Sequence, residues 1–154
     1  ILNTDTIRLL NNHLQTTSVS QNRKKWEREL ATDNTRREAQ AVQDAAETLH
    51  ENFVRRAFQT DSICQLATAS PHPVLVCGDF NSLPSSYTYH RLSESLKDGF
   101  KTGGHGYMYT YRYGKRMLRI DYAFHSPELE CTDYYSPNLD LCSDHNPVIF
   151  TVKY

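Results

Sequence analysis

Six polar residues precede, interrupt or follow apolar segments of the sequence, where a strand would hold each side chain in place: His13, Asp79, Asn81, Asp121, Asp144 and His145. Oxygen groups are the ligands that a hard cation such as Mg²⁺ takes, and histidine transfers protons near neutral pH. If the strand ends meet at one edge of a sheet, these side chains form one cluster. Such a cluster suits hydrolysis of a phosphodiester, which needs an aimed water and donors for the developing negative charge.

Each of the six side chains has a natural part in this chemistry. We expect Asp144 to bind the cation and Asp79 to polarise and aim the attacking water. Neutral or cationic donors would hold the phosphorane oxygens, and these donors are Asn81, His13 and His145. Asp121 would fix the tautomer of a neighbouring imidazole and raise its basicity.

Taken singly, the same residues have structural explanations. Asp79 and Asn81 are typical of an Asx turn after a strand, and Asp144 is typical of a turn where a strand begins. His13 alone is more often a surface or core histidine. The cluster interpretation therefore depends on whether the fold brings these residues together.

Two further features leave alternatives open. A carboxylate at Asp121 breaks the apolar character of the run LRIDYAF, although Arg119 could pair with it across the face of the strand. Tyrosines alternate from residue 107 to residue 113, and they could stack on bases. We expect them instead to form one wall of a β-sheet.

Hydrophobic periodicity predicts the elements that would position the candidate residues. Predicted strands cover residues 7–10, 73–78, 107–113, 115–126, 129–136 and 144–154, the third and fourth forming a hairpin. Predicted helical regions are a turn within 18–34, a helix over 35–59 that could continue to about 67, and a helix over 85–96. Four glycines predict a loop over 99–106. This order indicates an α/β fold: a mixed β-sheet with helices on one face.

Composition limits the classes of function. The formal net charge of the 154 residues is −1, so any affinity for phosphate must be local. The cysteines at positions 64, 77, 131 and 142 form no CxxC pair, which argues against a zinc scaffold and leaves disulfides open. No run approaches the 18 apolar residues of a membrane span, and the localisation stays unknown.

Three motifs occur in order downstream of NHL: GDFNSLPSS, RIDYAFHS and SDHNPV. With their strand contexts, they make the sequence resemble the C-terminal half of the endonuclease/exonuclease/phosphatase superfamily, from about residue 7 to residue 154. The resemblance implies half of a four-layer α/β/β/α sandwich of the deoxyribonuclease I type. It also implies a metal-dependent phosphoester hydrolase, with a nuclease or phosphodiesterase favoured.

The same resemblance implies a role for each residue. Asp79 would orient or activate the water, Asn81 would steady the water and the phosphate, and His13 would contact the scissile phosphate. Asp121 would support the catalytic histidine. Asp144 would bind or position the metal, and His145 would contact the phosphate or act in proton transfer. The implied cofactor is Mg²⁺, with Mn²⁺ as the alternative, and the implied substrate is a nucleic acid, a lipid headgroup or a small phosphoester.

The resemblance further implies that part of the fold lies outside this sequence. The N-terminal half of the superfamily supplies an asparagine and a metal-ligating glutamate, and neither segment is found here. We therefore expect residues 1–154 to be a single domain with an incomplete metal site and little activity alone. A bare sheet face would favour a symmetric homodimer. The alternative is a catalytically dead domain that binds a partner or itself.

Overall fold

The computed structural model describes residues 6–18, 22, 25–28, 31, 35–113, 115–139 and 142–154. The strands are β1 (Arg8–His13), β2 (Val74–Asp79), β3 (Lys97–Asp98), β4 (Asp121–His125), β5 (Glu130–Tyr135) and β6 (Ile149–Lys153). The helices are α1 (Thr35–Thr68), α2 (Tyr87–Ser93) and α3 (Gly99–Gly103). Residues 25–28 are also helical, while most of the turn predicted within 18–34 lies outside the described residues.

The chain divides into two compact units. One comprises Ile1–Leu14 with Gln59–Tyr154, and the other comprises Gln15–Phe58. All six candidate residues belong to the first unit. The prediction of a single domain over residues 1–154 stays a prediction. Within the described residues, no helix combines the length and the apolar character that a membrane crossing requires.

The first unit is built on a four-stranded sheet in the order β1-β2-β4-β3. The pair β1 and β2 is parallel, whereas β4 runs antiparallel to both β2 and β3. This confirms the predicted mixed sheet. β5 and β6 form a separate antiparallel pair. Residues of β2 alternate with side chains buried on one face, as at Val74 and Val76, because a strand presents successive side chains to opposite faces.

The two faces of the four-stranded sheet are covered differently. One face packs against the C-terminal end of α1 and against α2 around a core that includes Ile63, Val76, Leu92 and Phe124. The other face packs against β5 and β6, in a second cluster that includes Ala123, Cys131, Tyr134 and Phe150. The first unit therefore has a layer of helices, a mixed sheet and a two-stranded sheet, and the complete four-layer sandwich stays a prediction. The four cysteines are free thiols.

The segment 97–126 differs from the prediction. Residues 99–103 form α3 instead of a loop, because Asp98 caps the helix by accepting a hydrogen bond of 3.0 Å from the Phe100 N–H. The hairpin predicted over 107–113 and 115–126 is reduced to an isolated bridge between Tyr111 and Leu118, followed by β4. The expected wall of tyrosines is therefore wrong, since a wall needs a regular strand to alternate its side chains.

β2 approaches β1 very closely at Gly78. A Cβ atom at this position would lie 1.8 Å from the carbonyl oxygen of Asn12. The φ angle of Gly78 is 132°, in the region that side-chain-bearing residues rarely adopt. Glycine is therefore required here for the pairing of β1 with β2, and this pairing holds the end of β2 in place.

Replacing Gly78 by alanine should cost on the order of 4 kcal/mol or more of unfolding free energy, because the new methyl group has no room between the two strands. Gly106→Ala is the matched control. Gly106 also has a positive φ, of 70°, but an added Cβ would meet no atom within 4 Å, so its cost should be only about 1 kcal/mol. Urea unfolding of the full-length protein measures both, and equal losses would contradict the role given to the close approach.

Candidate active site

Three candidate residues lie in one row across adjacent strands. In the strand register, His13 of β1 is paired with Asp79 of β2, and Asp79 is paired with Asp121 of β4. Paired residues of neighbouring strands present their side chains on the same face. The row therefore places one imidazole and two carboxylates side by side at the edge of the sheet, as the cluster interpretation predicts.

Asn81 holds the carboxylate of Asp79. Its backbone N–H donates to Asp79 Oδ1 at 2.8 Å, and its side-chain amide donates to Asp79 Oδ2 at 3.0 Å and to the Leu14 carbonyl at 3.1 Å. The φ angle of Asn81 is 48°, a left-handed conformation that asparagine tolerates better than most residues. The Asx turn and the candidate site are thus one structure, in which the turn aims Asp79.

Asp121 forms the second arm of the site with His145. The Oδ2 atom of Asp121 lies 2.8 Å from His145 Nδ1. This contact favours a proton on Nδ1 and leaves Nε2 available for acid–base chemistry. The ring of Tyr111 packs edge-on against the imidazole, with 5.2 Å between ring centroids. The imidazole is therefore fixed by a hydrogen bond on one atom and by an aromatic contact.

Thr110 connects the two segments that carry this pair, and the sequence did not single it out. Its fully buried hydroxyl accepts the N–H groups of Ile120 and Asp121, both at 3.0 Å. Its carbonyl accepts the N–H of Asn146 at 2.7 Å. One residue thus fixes the backbone beside both Asp121 and His145. The only signal in the sequence is a small polar residue between two tyrosines, which does not reveal these partners.

Asp144 lies on the surface, outside the central group. Its side chain is exposed, and its backbone carbonyl accepts a hydrogen bond of 2.8 Å from the Arg112 N–H. The guanidinium of Arg112 also donates to the Ser143 carbonyl at 3.0 Å. Arg112 therefore holds the segment that leads to His145, and the role of Asp144 as a metal ligand stays a prediction.

Arg119 does not pair with Asp121, contrary to the alternative that the sequence left open. It donates to both oxygens of the buried Asp98, at 3.2 and 2.8 Å, and the hydroxyl of Tyr89 donates to the same carboxylate at 2.7 Å. The guanidinium also lies over the ring of Tyr122, 4.7 Å from its centroid. Because Asp98 neutralises Arg119, the charge of Asp121 is left for His145.

The causes of the pKa shifts differ between Asp79 and His145. Burial is the largest effect on Asp79 and raises its pKa; the hydrogen bond from the Asn81 N–H lowers the pKa, the charge of Asp121 raises it, and the charges of His145 and His13 lower it, with a net rise. Burial alone would lower the pKa of His145, but the hydrogen bond and charge of Asp121, with the charges of Asp79 and Asp144, raise it overall. Protonation of His145 therefore stabilises the folded chain, and this contribution is lost as the pH rises through its folded pKa.

The donor set also fits a divalent cation. Asp79, Asp121 and His145 can each direct one ligand atom so that all three atoms lie within 4.8 Å of one another. A cation would relieve the repulsion between the two neighbouring carboxylates, and these oxygens suit Mg²⁺. Since Asp121 Oδ2 is engaged by His145, water and substrate would have to complete the coordination.

His13 lies at the exposed rim of the row, with its Nε2 atom 3.5 Å from Asp79 Oδ2. A cavity of about 420 Å³ adjoins the row, and its lining includes Asp79, Asp121, His145 and Asn146. Both polar atoms of the buried Asn146 side chain have no partner among the described residues. A water or a ligand in the cavity would supply the missing hydrogen bonds. The structure thus brings five of the six candidates together, leaving Asp144 on the surface.

Comparisons with known proteins agree on the fold. A model of the Endonuclease/Exonuclease/phosphatase family matches residues 11–145, and no curated protein sequence matches the chain. A functionally unknown conserved protein from Enterococcus faecalis V583 is similar in structure, with a TM-score of 0.59 and 18% identity over 66% of this chain and 45% of that one. An endonuclease/exonuclease/phosphatase from Bacteroides vulgatus has a TM-score of 0.54 and 26% identity, covering 67% of this chain and 44% of its own.

A third similar structure is truncated TDP2 of Caenorhabditis elegans. It has a TM-score of 0.53 and 16% identity over 96% of this chain and 55% of its own. The chain therefore spans about half of the length of these proteins. At such identities the similarity concerns the fold.

Thr110→Val should lower the free energy of unfolding by about 1–3 kcal/mol for each of the two buried N–H groups that lose their acceptor. Valine has nearly the same shape as threonine, so the packing changes little. Thr110→Ser keeps the hydroxyl and should lose much less. Urea unfolding of the full-length protein compares the variants, and a valine variant as stable as the serine variant would show that the hydroxyl does not hold Asp121 in place.

Proposed function

The chain belongs to the endonuclease/exonuclease/phosphatase family, whose members are hydrolases that act on phosphoesters, and we propose that its row of polar side chains catalyses metal-dependent hydrolysis of a phosphate ester. The observation that carries the proposal is the 2.8 Å hydrogen bond between Asp121 and His145, beside Asp79 in the strand register. It supplies a fixed proton-transfer group next to a second carboxylate that is held by its own turn.

Asp79 and the Asp121–His145 pair would have different tasks in the reaction, one at the attacking water and the other at the leaving group or phosphate. Asp79 would orient the attacking water and accept its proton, a task that a raised pKa favours. His145 would donate from Nε2 to the phosphate or to the leaving oxygen, because its raised pKa favours the protonated form. Asp121 keeps the imidazole oriented, as in other acid–base pairs.

Two further residues support these groups. Both amide hydrogens of Asn81 are engaged by Asp79 and Leu14, so Asn81 acts as a positioning residue, and its contact with the phosphate stays a prediction. His13, exposed at the rim, would meet the scissile phosphate from solvent. Its ring is within 3.5 Å of Asp79, which keeps it near the reacting atoms.

A divalent cation, Mg²⁺ or alternatively Mn²⁺, would neutralise the phosphate and polarise it when bound. The carboxylates of Asp79 and Asp121 are the ligands that its donor preference favours. Asp144, which lies outside that group, is a further proposed ligand. The chain covers 45% and 44% of two of its structural relatives. We therefore propose that full activity requires residues beyond these 154 and that the chain alone is nearly inactive.

The first experiment measures hydrolysis of bis-p-nitrophenyl phosphate, p-nitrophenyl phosphate and plasmid DNA by the full-length protein. Asp79→Asn or His145→Ala should lower the rate by about 10² to 10⁴, the usual size of an acid–base contribution. Removing Mg²⁺ with EDTA should also lower the rate, because the charge that would polarise the phosphate is lost. Asp133→Asn, an exposed aspartate outside the row, should leave the rate unchanged. Full activity of Asp79→Asn would show that the row is structural.

We also propose that the chain alone associates as a homodimer. Leu9 of β1 and Ile149 of β6 expose apolar surface, and β1 is the outer strand of its sheet. Exposed apolar surface of this kind is removed from water by association. Sedimentation velocity should give twice the monomer mass, whereas a monodisperse monomer at micromolar concentration would contradict the proposal.

A further inference from the structure

The loop over residues 107–118, named here the tyrosine loop, lies beside His145 and carries a marked excess of positive charge. Between Asp98 and Asp121 the sequence has five lysines and arginines and no aspartate or glutamate, in a chain whose net charge is −1. Arg119 is neutralised by Asp98. The other cations of this segment are Lys101, Arg112, Lys115 and Arg116, three of them within the loop. Local charge of this kind attracts a polyanion even when the whole chain is nearly neutral.

The same loop exposes aromatic and apolar side chains. Tyr113 is 66% exposed, Tyr107 is 71% exposed and Met117 is 63% exposed. The hydroxyl of Tyr107 donates to the Met117 carbonyl at 2.7 Å, which ties the two sides of the loop together. The loop therefore has an internal restraint, although it contains no regular strand.

Aromatic rings lead from the surface of the loop to the candidate active site. The ring of Tyr113 packs against Tyr111, with 5.9 Å between centroids, and Tyr111 packs against His145 at 5.2 Å. A group that stacks on the exposed Tyr113 is therefore two ring contacts away from the imidazole.

Lys115 and Arg116 adopt an unfavourable backbone conformation. Their φ angles are 61° and 56°, in the left-handed region where long side chains are uncommon, and both side chains are exposed. Glycine would relieve this strain, so the turn itself does not explain two cations at these positions. Such strain is concentrated at sites that bind ligands.

From these observations we propose that the tyrosine loop binds single-stranded nucleic acid next to the scissile phosphate. Tyr113 stacks on an unpaired base, and Lys115 and Arg116 contact the phosphates that flank it. Stacking on a tyrosine needs a base whose face is free, which a duplex does not offer. The inference rests on the proposed hydrolysis of a phosphate ester and specifies its substrate class.

An anionic membrane surface would also attract cations and aromatic rings. The direction of the rings argues against it, because they lead inward from Tyr113 to His145 and do not all lie at the tip of the loop. The most exposed ring of the loop, that of Tyr107, has its hydroxyl engaged within the loop. A polymer that is threaded to the active site explains this arrangement directly.

The test measures binding of a fluorescein-labelled oligothymidylate to the full-length protein by fluorescence anisotropy, in EDTA so that no hydrolysis occurs. Tyr113→Ala should raise the dissociation constant about fivefold or more, the smaller end of what one base–aromatic stack contributes. Tyr113→Phe keeps the ring and should bind within twofold of the unmodified protein. An alanine variant that binds as tightly as the phenylalanine variant would overturn the stacking role.

A second variant tests the phosphate contacts. Lys115→Gly combined with Arg116→Gly removes two charges and relieves the left-handed strain, so this variant is expected to stay folded. The slope of the logarithm of affinity against the logarithm of salt concentration should fall by about 1.4, since each phosphate contact on a single strand contributes about 0.7. An unchanged slope would overturn the assignment of these two residues.

Lys153→Ala combined with Tyr154→Ala is the matched control, since it removes a cation and an exposed tyrosine outside the loop. It should bind the oligonucleotide like the unmodified protein, and an equal loss would overturn the proposal. A second measurement tests binding of the same variants to phosphatidylcholine vesicles that contain phosphatidylserine. Vesicle binding that depends on Tyr113, without oligonucleotide binding, would assign the loop to a membrane surface and overturn the proposal.

The binding test and the hydrolysis test can contradict their two proposals independently. A protein that hydrolyses bis-p-nitrophenyl phosphate with Mg²⁺ but binds the oligonucleotide independently of Tyr113 overturns the loop assignment alone. A protein that binds the oligonucleotide through Tyr113 but hydrolyses no phosphate ester overturns the proposed function and leaves the loop as a binding surface without catalysis.

Discussion

β2 lies between β1 and β4, and its backbone comes so close to β1 at Gly78 that only a hydrogen atom fits beside the Asn12 carbonyl. This approach restricts the register of β1 against β2, and the antiparallel ladder sets β4 against β2. The register in turn sets His13, Asp79 and Asp121 in one row. A slip of one residue would move each side chain to the opposite face, because the side-chain period of a strand is two. The placement of His13 beside Asp79 therefore depends on this backbone contact.

The site also shows how polar groups are held at the edge of a packed sheet. Asp79 is held by its own turn through Asn81, while His145 is held by Asp121 and by the ring of Tyr111. Thr110 joins the two segments through backbone hydrogen bonds. Asp79 and His145 therefore each have a partner that restrains the side chain without occupying all of its donor or acceptor capacity, an arrangement that suits a preorganised site.

The sequence predicted the polar cluster, the mixed sheet and the strands that flank the site because hydrophobic period and strand-end motifs are local signals. It was wrong about the tyrosine wall and the loop over 99–106, since Asp98 caps a short helix and the backbone of Tyr111 bonds to Leu118 instead of to a long strand. It did not identify Thr110, whose function depends on two N–H groups that lie ten and eleven positions away in the chain.

The sequence by itself determined which chemical groups are available: carboxylates, imidazoles and a carboxamide at the ends of apolar segments, and a run of cations without acids from residue 99 to residue 120. Only the tertiary structure decided which of them meet. It joined Asp121 to His145 and gave Arg119 to Asp98, and it left Asp144 on the surface. The spacing of residues along the chain does not show which polar groups will pair. Strand register and packing determine the pairs, because hydrogen bonds form only at distances that the fold sets.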